Sequence, residues 1–333
     1  MRTWGAVLAV EAVLLAAGAV TIALIVASPF SSSSAEDEDL VLSGAAPGAR
    51  AFEVTIRDKT PSPTPSPVPT PDSLRCGPTV DGAYMANTQI VSYYGNPYAS
   101  QMGILGELDP ATLVAEVTAH AATYDSLNGP LAARPALHIV YGTAQAGPGP
   151  EGLYLQYVDD ATMREYIDLA CDNGLLVFVD LQIGRSDVET EVRKVLDYLK
   201  FPNVHLALDP EFAMAPGEVP GQRIGTIDAQ DVNDAQSVVE GLIEEHGLSD
   251  KIIVVHQFLE KMVTRPELIR DYPRVRLVID MDGFGPAAIK RVKYGWFAEP
   301  AEYAGIKLFF KHDPDLMSEA DVLALGPNVI IYQ

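Results

Sequence analysis

The stretch Val204-His205-Leu206-Ala207-Leu208-Asp209-Pro210-Glu211-Phe212 decides the fold, because an apolar run ends there abruptly in charged residues. The same pattern recurs at IVSYYG (90–95), LHIVYG (137–142), LLVFVDLQ (175–182), IIVVHQF (252–258), VRLVIDMD (275–282), IKLFFKHD (306–313) and NVIIYQ (328–333). Stretches with helical character separate most of these runs. About eight strands alternating with helices predict an α/β fold, a (β/α)₈ barrel of the TIM type.

The predicted helices follow the strands in order. They cover residues 109–127, 159–174, 186–201, 228–247, 265–272, 287–298 and 318–325. Because the sequence ends at Gln333 on the eighth strand, the expected barrel lacks its last helix. We expect residues of the segment 76–88 to cover that gap.

The barrel domain is predicted over residues 76–333, behind two different segments. Residues 1–30 contain an apolar run of the length that spans a bilayer, which favours an uncleaved membrane anchor over a cleaved export signal. The acidic and proline-rich composition of residues 31–75 predicts a disordered spacer. Arg2 favours a cytoplasmic N-terminus, so we expect a single-pass cell-membrane protein with an extracellular barrel, or a secreted one after cleavage.

Composition excludes some partners. The formal net charge is -22 and the sequence pI is about 4.5, so the surface repels phosphate backbones and no nucleic-acid partner is expected. The two cysteines, Cys76 and Cys171, lack the CxxC spacing of zinc ribbons and thioredoxin-type motifs. They could pair in an oxidising compartment, or they are two separate small buried residues.

Strand alternation predicts which side chains face the barrel lumen. On strand four, Asp209 and Glu211 share one face with His205, whereas the leucines share the other face. The same parity on the other strands places further polar side chains inward: Asp180 and Gln182 on strand three, His256 or Gln257 on strand five, Asp280 and Asp282 on strand six, and Lys311 or His312 on strand seven. Several carboxylates therefore converge on one mouth of the barrel.

Crowded carboxylates raise one another's pKa, and a protonated carboxyl beside an ionised one is the chemistry of glycoside hydrolysis. The LDPE stretch resembles the D-x-E motif of muramidase barrels and of chitinase-type glycoside hydrolase barrels. The wider set YYGNP, GILGEL, DLQIGR, LDPEF, HQF and DGFG resembles secreted bacterial glycoside-hydrolase-like barrels over about residues 88–333. The resemblance implies that Glu211 is the general acid and that Asp209 is its partner.

The sequence departs from both motifs. Val204 and Ala207 stand where the longer chitinase pattern has aspartates, and Ser92-Tyr93-Tyr94-Gly95 replaces the strand-one Asp of muramidases. We nevertheless expect a surface glycoside hydrolase acting on a cell-wall or extracellular polysaccharide, without a cofactor. Asp280 or Asp282 would be the second carboxylate or base, a role also open to Asp180. The expected substrate contacts are Asp180, Gln182, Arg185, His256, Gln257, Lys311, His312 and Tyr94.

Two other functions stay open. A metal-dependent hydrolase, such as a deacetylase or phosphodiesterase, would use imidazole and carboxylate ligands, which suit Zn or Mn. The candidate ligands for that function are His138, His256, His312, Asp209, Glu211 and Asp280, although HxH, HxxxH and HExxH spacings are absent. The third possibility is a non-catalytic surface protein that binds a glycan or another protein.

Overall fold

The computed structural model describes residue 76, residues 79–298 and residues 301–333. Its centre is a closed barrel of eight parallel strands. These are β1 (Thr88–Gly95), β2 (Ala132–Ala144), β3 (Leu176–Gly184), β4 (Val204–Ala213), β5 (Lys251–Gln257), β6 (Val275–Met281), β7 (Tyr303–Leu308) and β8 (Val329–Tyr332). Each strand pairs with the next, and β8 pairs with β1, which closes the ring. The predicted α/β barrel of eight strands is thus confirmed.

Helices follow most of the strands. They are α1 (Pro110–Leu127), α2 (Asp160–Asp172), α3 (Val188–Lys194), α4 (Ala229–His246), α5 (Ala287–Ala298) and α6 (Glu319–Leu323), with short helical turns at Tyr84–Asn87 and Leu196–Leu199. Short 3-10 turns and strands decorate the loops: Ser100–Met102, Ile104–Gly106, Leu155–Tyr157, Ile227–Asp228, Glu260–Met262, Val263–Thr264 and Pro266–Leu268. Side-chain caps from Asp109, Asp159, Asp187, Asp228 and Ser318 begin five of the helices.

Two hydrophobic layers result from strand alternation. Leu206 and Leu208 of β4 face outward and pack in the layer between strands and helices. Ala207 of the same strand packs in the lumen with Phe178 and Val254. The sequence predicted this alternation of outward and inward residues. The same alternation places Asp180, Asp209 and Asp280 inside the barrel.

Two helix predictions are wrong in detail. The predicted helix at 186–201 is interrupted at Val195, where α3 has ended and the turn Leu196–Leu199 begins. The predicted helix at 265–272 is only the 3-10 turn Pro266–Leu268. The amide side chains of Asn233 and Gln236 on α4 bind the backbone carbonyls of Leu268 and Arg270, so these carbonyls are used in tertiary contacts.

The segment before β1 lies at the N-terminal end of the lumen. Val80 and Met85 pack there in the same apolar cluster as Ile90 and Val329. The carbonyl of Val80 accepts from the Asp250 amide, and the carbonyl of Met85 accepts from the Asn328 side chain. The segment therefore covers the base of the barrel.

A disulfide joins Cys76 to Cys171 in α2. It decides between the two sequence interpretations of these cysteines, because both sulfurs are bonded and buried. The bond fastens the segment below the lumen to the helical layer outside it.

In the described part of the chain, no helix has the length and the apolar character needed to cross a bilayer. The predicted anchor at residues 1–30 and the predicted spacer at residues 31–75 lie outside the described residues.

Loss of the disulfide should lower stability, because the bond closes a loop across 95 residues of sequence. We expect the double variant Cys76→Ser, Cys171→Ser to lose about 2–5 kcal/mol of unfolding free energy relative to the oxidised wild type. Guanidinium unfolding of both full-length chains measures it, and adding reductant should bring the wild type to the variant's midpoint. Coincident curves under oxidising conditions would contradict the expectation.

Buried Lys251 should make stability depend on pH. Its Nζ donates to the carbonyls of Phe201 (2.6 Å) and Val204 (3.0 Å), and burial lowers its pKa to about 7. Between pH 7 and about 10 the unfolded chain binds a proton that the native state lacks, so stability rises with pH. The difference between wild type and Lys251→Met should rise by roughly 1.4 kcal/mol per pH unit in that window. A flat difference in urea unfolding from pH 7 to 10 would disprove it.

Candidate metal centre

Three side chains from three strands meet deep in the lumen. They are His138 of β2, Asp180 of β3 and His256 of β5, and all three are fully buried. His138 lies beside Phe178 in the strand register, and Asp180 follows Phe178 by two residues, one lumen position nearer the mouth. His138 stacks on the Phe178 ring with centroids 5.2 Å apart, which fixes its orientation.

The distances between these side chains match a metal site. His138 Nε2 and His256 Nε2 are 3.3 Å apart, and Asp180 Oδ2 lies 3.7 Å from the first and 3.5 Å from the second. Two ligands bound tetrahedrally to one cation at about 2.0–2.1 Å are separated by about 3.3–3.4 Å. The three atoms are therefore spaced nearly as three ligands of one cation would be.

The hydrogen bonding of Asp180 supports the same conclusion. Both of its carboxylate oxygens are buried, and the neighbouring nitrogens of His138 and His256 stand 3.7 and 3.5 Å from Oδ2, farther than a normal hydrogen bond. A buried carboxylate without hydrogen bonds is costly, since such groups are normally paired or bind metals. The residues present thus fit a divalent cation, which would satisfy Asp180 and separate the two facing imidazoles.

The opposite nitrogen of His256 faces β6. His256 Nδ1 lies 2.9 Å from Asp280 Oδ2 and 3.6 Å from Asp282 Oδ2. Asp282 in turn contacts Lys307 of β7, whose Nζ is 3.2 Å from Asp282 Oδ2 and 3.5 Å from the centroid of the Tyr94 ring. A continuous polar chain therefore runs around the lumen from His256 to Lys307.

Burial and charge act against each other in this cluster. Burial lowers the pKa of His138 well below its usual range. Burial acts in the same direction on His256, but Asp180 and Asp280 outweigh it and raise the pKa of His256 well above its usual range. Burial raises the pKa of Asp180, but His256 and His138 outweigh that effect and lower it to about 2. Asp180 is thus held ionised at the centre.

A second layer lies one lumen position above Asp180. Gln182 fixes it by accepting from the Ala144 amide (2.7 Å) and donating to Asp209 Oδ2 (3.3 Å). Burial and the charge of Asp180 raise the pKa of Asp209 to about 7. Glu211, half-buried at the rim, has its pKa raised well above the usual range by burial and by Asp209. This layer can hold or release a proton near neutral pH.

The structure brings together most, but not all, of the predicted site residues. Tyr94, Asp180, Gln182, Asp209, Asp280, Asp282 and His256 lie in the lumen cluster or its upper layer, with Glu211 at the rim. Four others lie elsewhere. Gln257 donates to the carbonyls of Leu259 and Glu260 and so holds the loop after β5.

Arg185, Lys311 and His312 are the remaining three. The Arg185 guanidinium stacks over the Tyr154 ring at 4.1 Å and donates to the carbonyl of Glu218. Lys311 is exposed and pairs with Glu107 at 2.5 Å, and His312 is exposed beside Phe284. The strand-seven prediction is wrong, because β7 ends at Leu308 and Phe309 to Asp313 form the loop that follows.

Sequence reasoning missed Lys307 and gave His138 only a minor place. Lys307 interrupts the apolar run Ile306-Lys307-Leu308, and alternation from Gly305 would have placed it in the lumen. His138 is the polar residue between Leu137 and Ile139 on a buried strand, which is the same signal. The sequence runs on as apolar Phe309-Phe310 after β7, and this concealed where the strand ends.

Comparison with known proteins identifies no family. No protein-family model matches the chain, and a search of curated proteins finds no match. Among solved structures, oxaloacetate acetylhydrolase in complex with the product oxalate is similar with 12% identity, 74% of each chain covered and a TM-score of 0.40. A 2,3-dimethylmalate lyase, a member of the PEP mutase/isocitrate lyase superfamily, has 11% identity, coverage of 74% of this chain and 76% of that chain, and a TM-score of 0.41.

The expected resemblance to glycoside-hydrolase-like barrels is corrected, since no protein-family model and no curated protein matches the chain. The expected polysaccharide substrate is withdrawn with it. Local geometry gives the physical reason: Asp280 and Asp282, the predicted second carboxylates, are engaged by His256 and Lys307. The expected membrane partner depends on residues 1–30, which lie outside the part of the chain that the structure describes.

Lys307 and Lys311 should differ sharply when neutralised. Lys307→Met would leave the carboxylate of Asp282 buried without its cation, which costs about 3–5 kcal/mol of unfolding free energy. Lys311→Met removes an exposed pair and should cost less than about 1 kcal/mol. Urea unfolding of the two variants measures both. Equal losses would contradict a buried ion pair between Lys307 and Asp282.

Proposed function

We propose that this protein is a metal-dependent hydrolase that holds a divalent cation through His138, Asp180 and His256. The observation that carries the proposal is the convergence of His138 Nε2, His256 Nε2 and Asp180 Oδ2 within 3.3–3.7 Å of one another. Imidazole with carboxylate suits Zn²⁺, Mn²⁺ or Fe²⁺. Three protein ligands leave a further coordination position for a substrate, which is typical of catalytic sites.

The chain's own groups supply the rest of the proposed chemistry. When bound, the cation would act as a Lewis acid toward a substrate carbonyl or phosphoryl group. Asp209, with a pKa of about 7 one lumen position above Asp180, would take up or deliver a proton during bond cleavage. Gln182 would hold the Asp209 carboxylate in place through their hydrogen bond.

Substrates of this proposed hydrolase are acyl compounds, such as acetylated amines and esters, or phosphodiesters. Asp209 and Glu211, whose raised pKa values favour protonation, lie on the rim side of the metal ligands, where a protonated carboxyl can donate to a leaving group. Lys307 is the cation of the lumen cluster that could contact a substrate oxygen, although it also pairs with Asp282.

We propose that the protein works outside the reducing cytoplasm. The Cys76–Cys171 disulfide supports this location, since disulfides form and persist in exported proteins.

Metal binding is the first property to test. After chelator treatment, the full-length wild type should bind one Zn²⁺ or Mn²⁺ per chain in equilibrium dialysis with elemental analysis. His138→Gln and Asp180→Asn should each lose more affinity than the roughly 10–100-fold that outer hydrogen-bond partners contribute. His312→Gln, an exposed histidine outside the cluster, is the matched control and should bind as the wild type does. A wild type that binds no metal would overturn the proposal.

Turnover is tested separately. Metal-loaded protein is assayed on p-nitrophenyl acetate, N-acetylated amines and bis-p-nitrophenyl phosphate, with chelated protein beside it. We expect hydrolysis that chelation abolishes and that Asp209→Asn lowers by about 10²–10⁴-fold in kcat. Asp197→Asn, an exposed aspartate paired with Lys200, is the control. Metal binding without hydrolysis of any compound would favour the non-catalytic binding protein.

A further inference from the structure

The polar groups beside His256 form a second set of apparent metal ligands. His256, Asp280 and Asp282 lie close enough to share an ion, and His256 belongs to both sets. The two sets use different ring nitrogens, because Nε2 faces Asp180 and Nδ1 faces Asp280. One imidazole thus contacts two carboxylates, one through each of its ring nitrogens.

Protein contacts engage each residue of this second set, although Asp280 Oδ1 has no hydrogen-bond partner among the described residues. The 2.9 Å separation of His256 Nδ1 and Asp280 Oδ2 is that of a charge-assisted N–H···O hydrogen bond. Asp282 contacts the Lys307 ammonium at 3.2 Å, so a cation stands next to this set. A second divalent ion there would have to displace the His256 proton and lie beside Lys307, and like charges repel strongly at such distances.

Resting on the proposed metal site, we propose that Asp280 is a positioning residue that orients His256 for metal binding and that the site holds a single cation. Its carboxylate accepts from Nδ1, which fixes the tautomer with Nε2 free to bind a metal. His138 differs, since its Nδ1 has no hydrogen-bond partner in the described residues and its ring is oriented by stacking on Phe178. The hydrogen-bonded support is therefore concentrated at His256.

Gly305 of β7 makes room for this carboxylate. Gly305 pairs with Asp280 in the strand register, and a Cβ built at position 305 would lie 2.7 Å from Asp280 Oδ1 and 3.0 Å from Asp280 Cβ. Both distances are shorter than normal contacts, so any larger residue would push the carboxylate away from its present place. Gly305 and Asp280 thus act together, although Gly305 has no polar side chain of its own.

The test compares metal affinity in four full-length proteins: wild type, Asp280→Asn, Gly305→Ala and Gly241→Ala. Zn²⁺ dissociation constants come from competition with a chromogenic chelator, and the melting temperature of each metal-free protein is recorded beside them. We expect Asp280→Asn to bind Zn²⁺ about 10–100-fold more weakly and Gly305→Ala to be weakened in the same direction. Gly241→Ala is the glycine control, because a Cβ there meets open space in α4.

A purely structural role would lower the melting temperature and leave the affinity of the folded fraction unchanged, so such a result overturns the proposal. Wild-type affinity in both Asp280→Asn and Gly305→Ala, or two cations bound per wild-type chain, also overturns it. If Asp280→Asn does not fold, Gly305→Ala decides by itself, since it removes no polar group. A wild type that binds no Zn²⁺ or Mn²⁺ would instead reject the proposed function.

Discussion

Closure of the strand ring is the constraint on which the rest of the structure depends. Once β8 pairs with β1, every strand has an inner and an outer face, and alternate residues must enter the lumen. Leucine, valine and isoleucine fill the outer layer, whereas the lumen changes along the barrel axis from Val80 and Met85 at the base to histidine and aspartate above. The polar cluster is therefore a direct result of a closed sheet with a period of two.

The alternation of side chains along each strand also explains which lumen residues could be predicted from the sequence. The inward positions of Asp180, Asp209 and Asp280 follow from strand parity alone, and the structure has them there. This alternation predicts the wrong residues where the end of a strand is placed wrongly. At β7 the apolar residues Phe309 and Phe310 continue the pattern past Leu308, where the strand ends. Distances across the lumen are a further limit, since the approach of His138 to His256 joins residues 118 apart in sequence.

The chemistry was harder to predict than the fold because identical residues support different reactions. A set of inward carboxylates suggested acid and base catalysis, but their roles depend on their neighbours: Asp180 faces two imidazoles, Asp282 faces an ammonium and Asp209 faces an amide. Local motifs such as Asp-Pro-Glu carry no information on these neighbours, which come from other strands. Only the three-dimensional arrangement separates an ionised carboxylate such as Asp180 from Asp209, whose pKa is raised to about 7.

The Cys76–Cys171 bond also has a mechanical consequence. Tension applied to the chain before Cys76 would pass through the sulfur bridge into α2, and the stretch from residue 77 to β1 would carry none of it. Val80 and Met85 could then stay seated at the base of the barrel while the chain is pulled. The disulfide would therefore protect the packing of the segment before β1 from a force applied to the preceding chain.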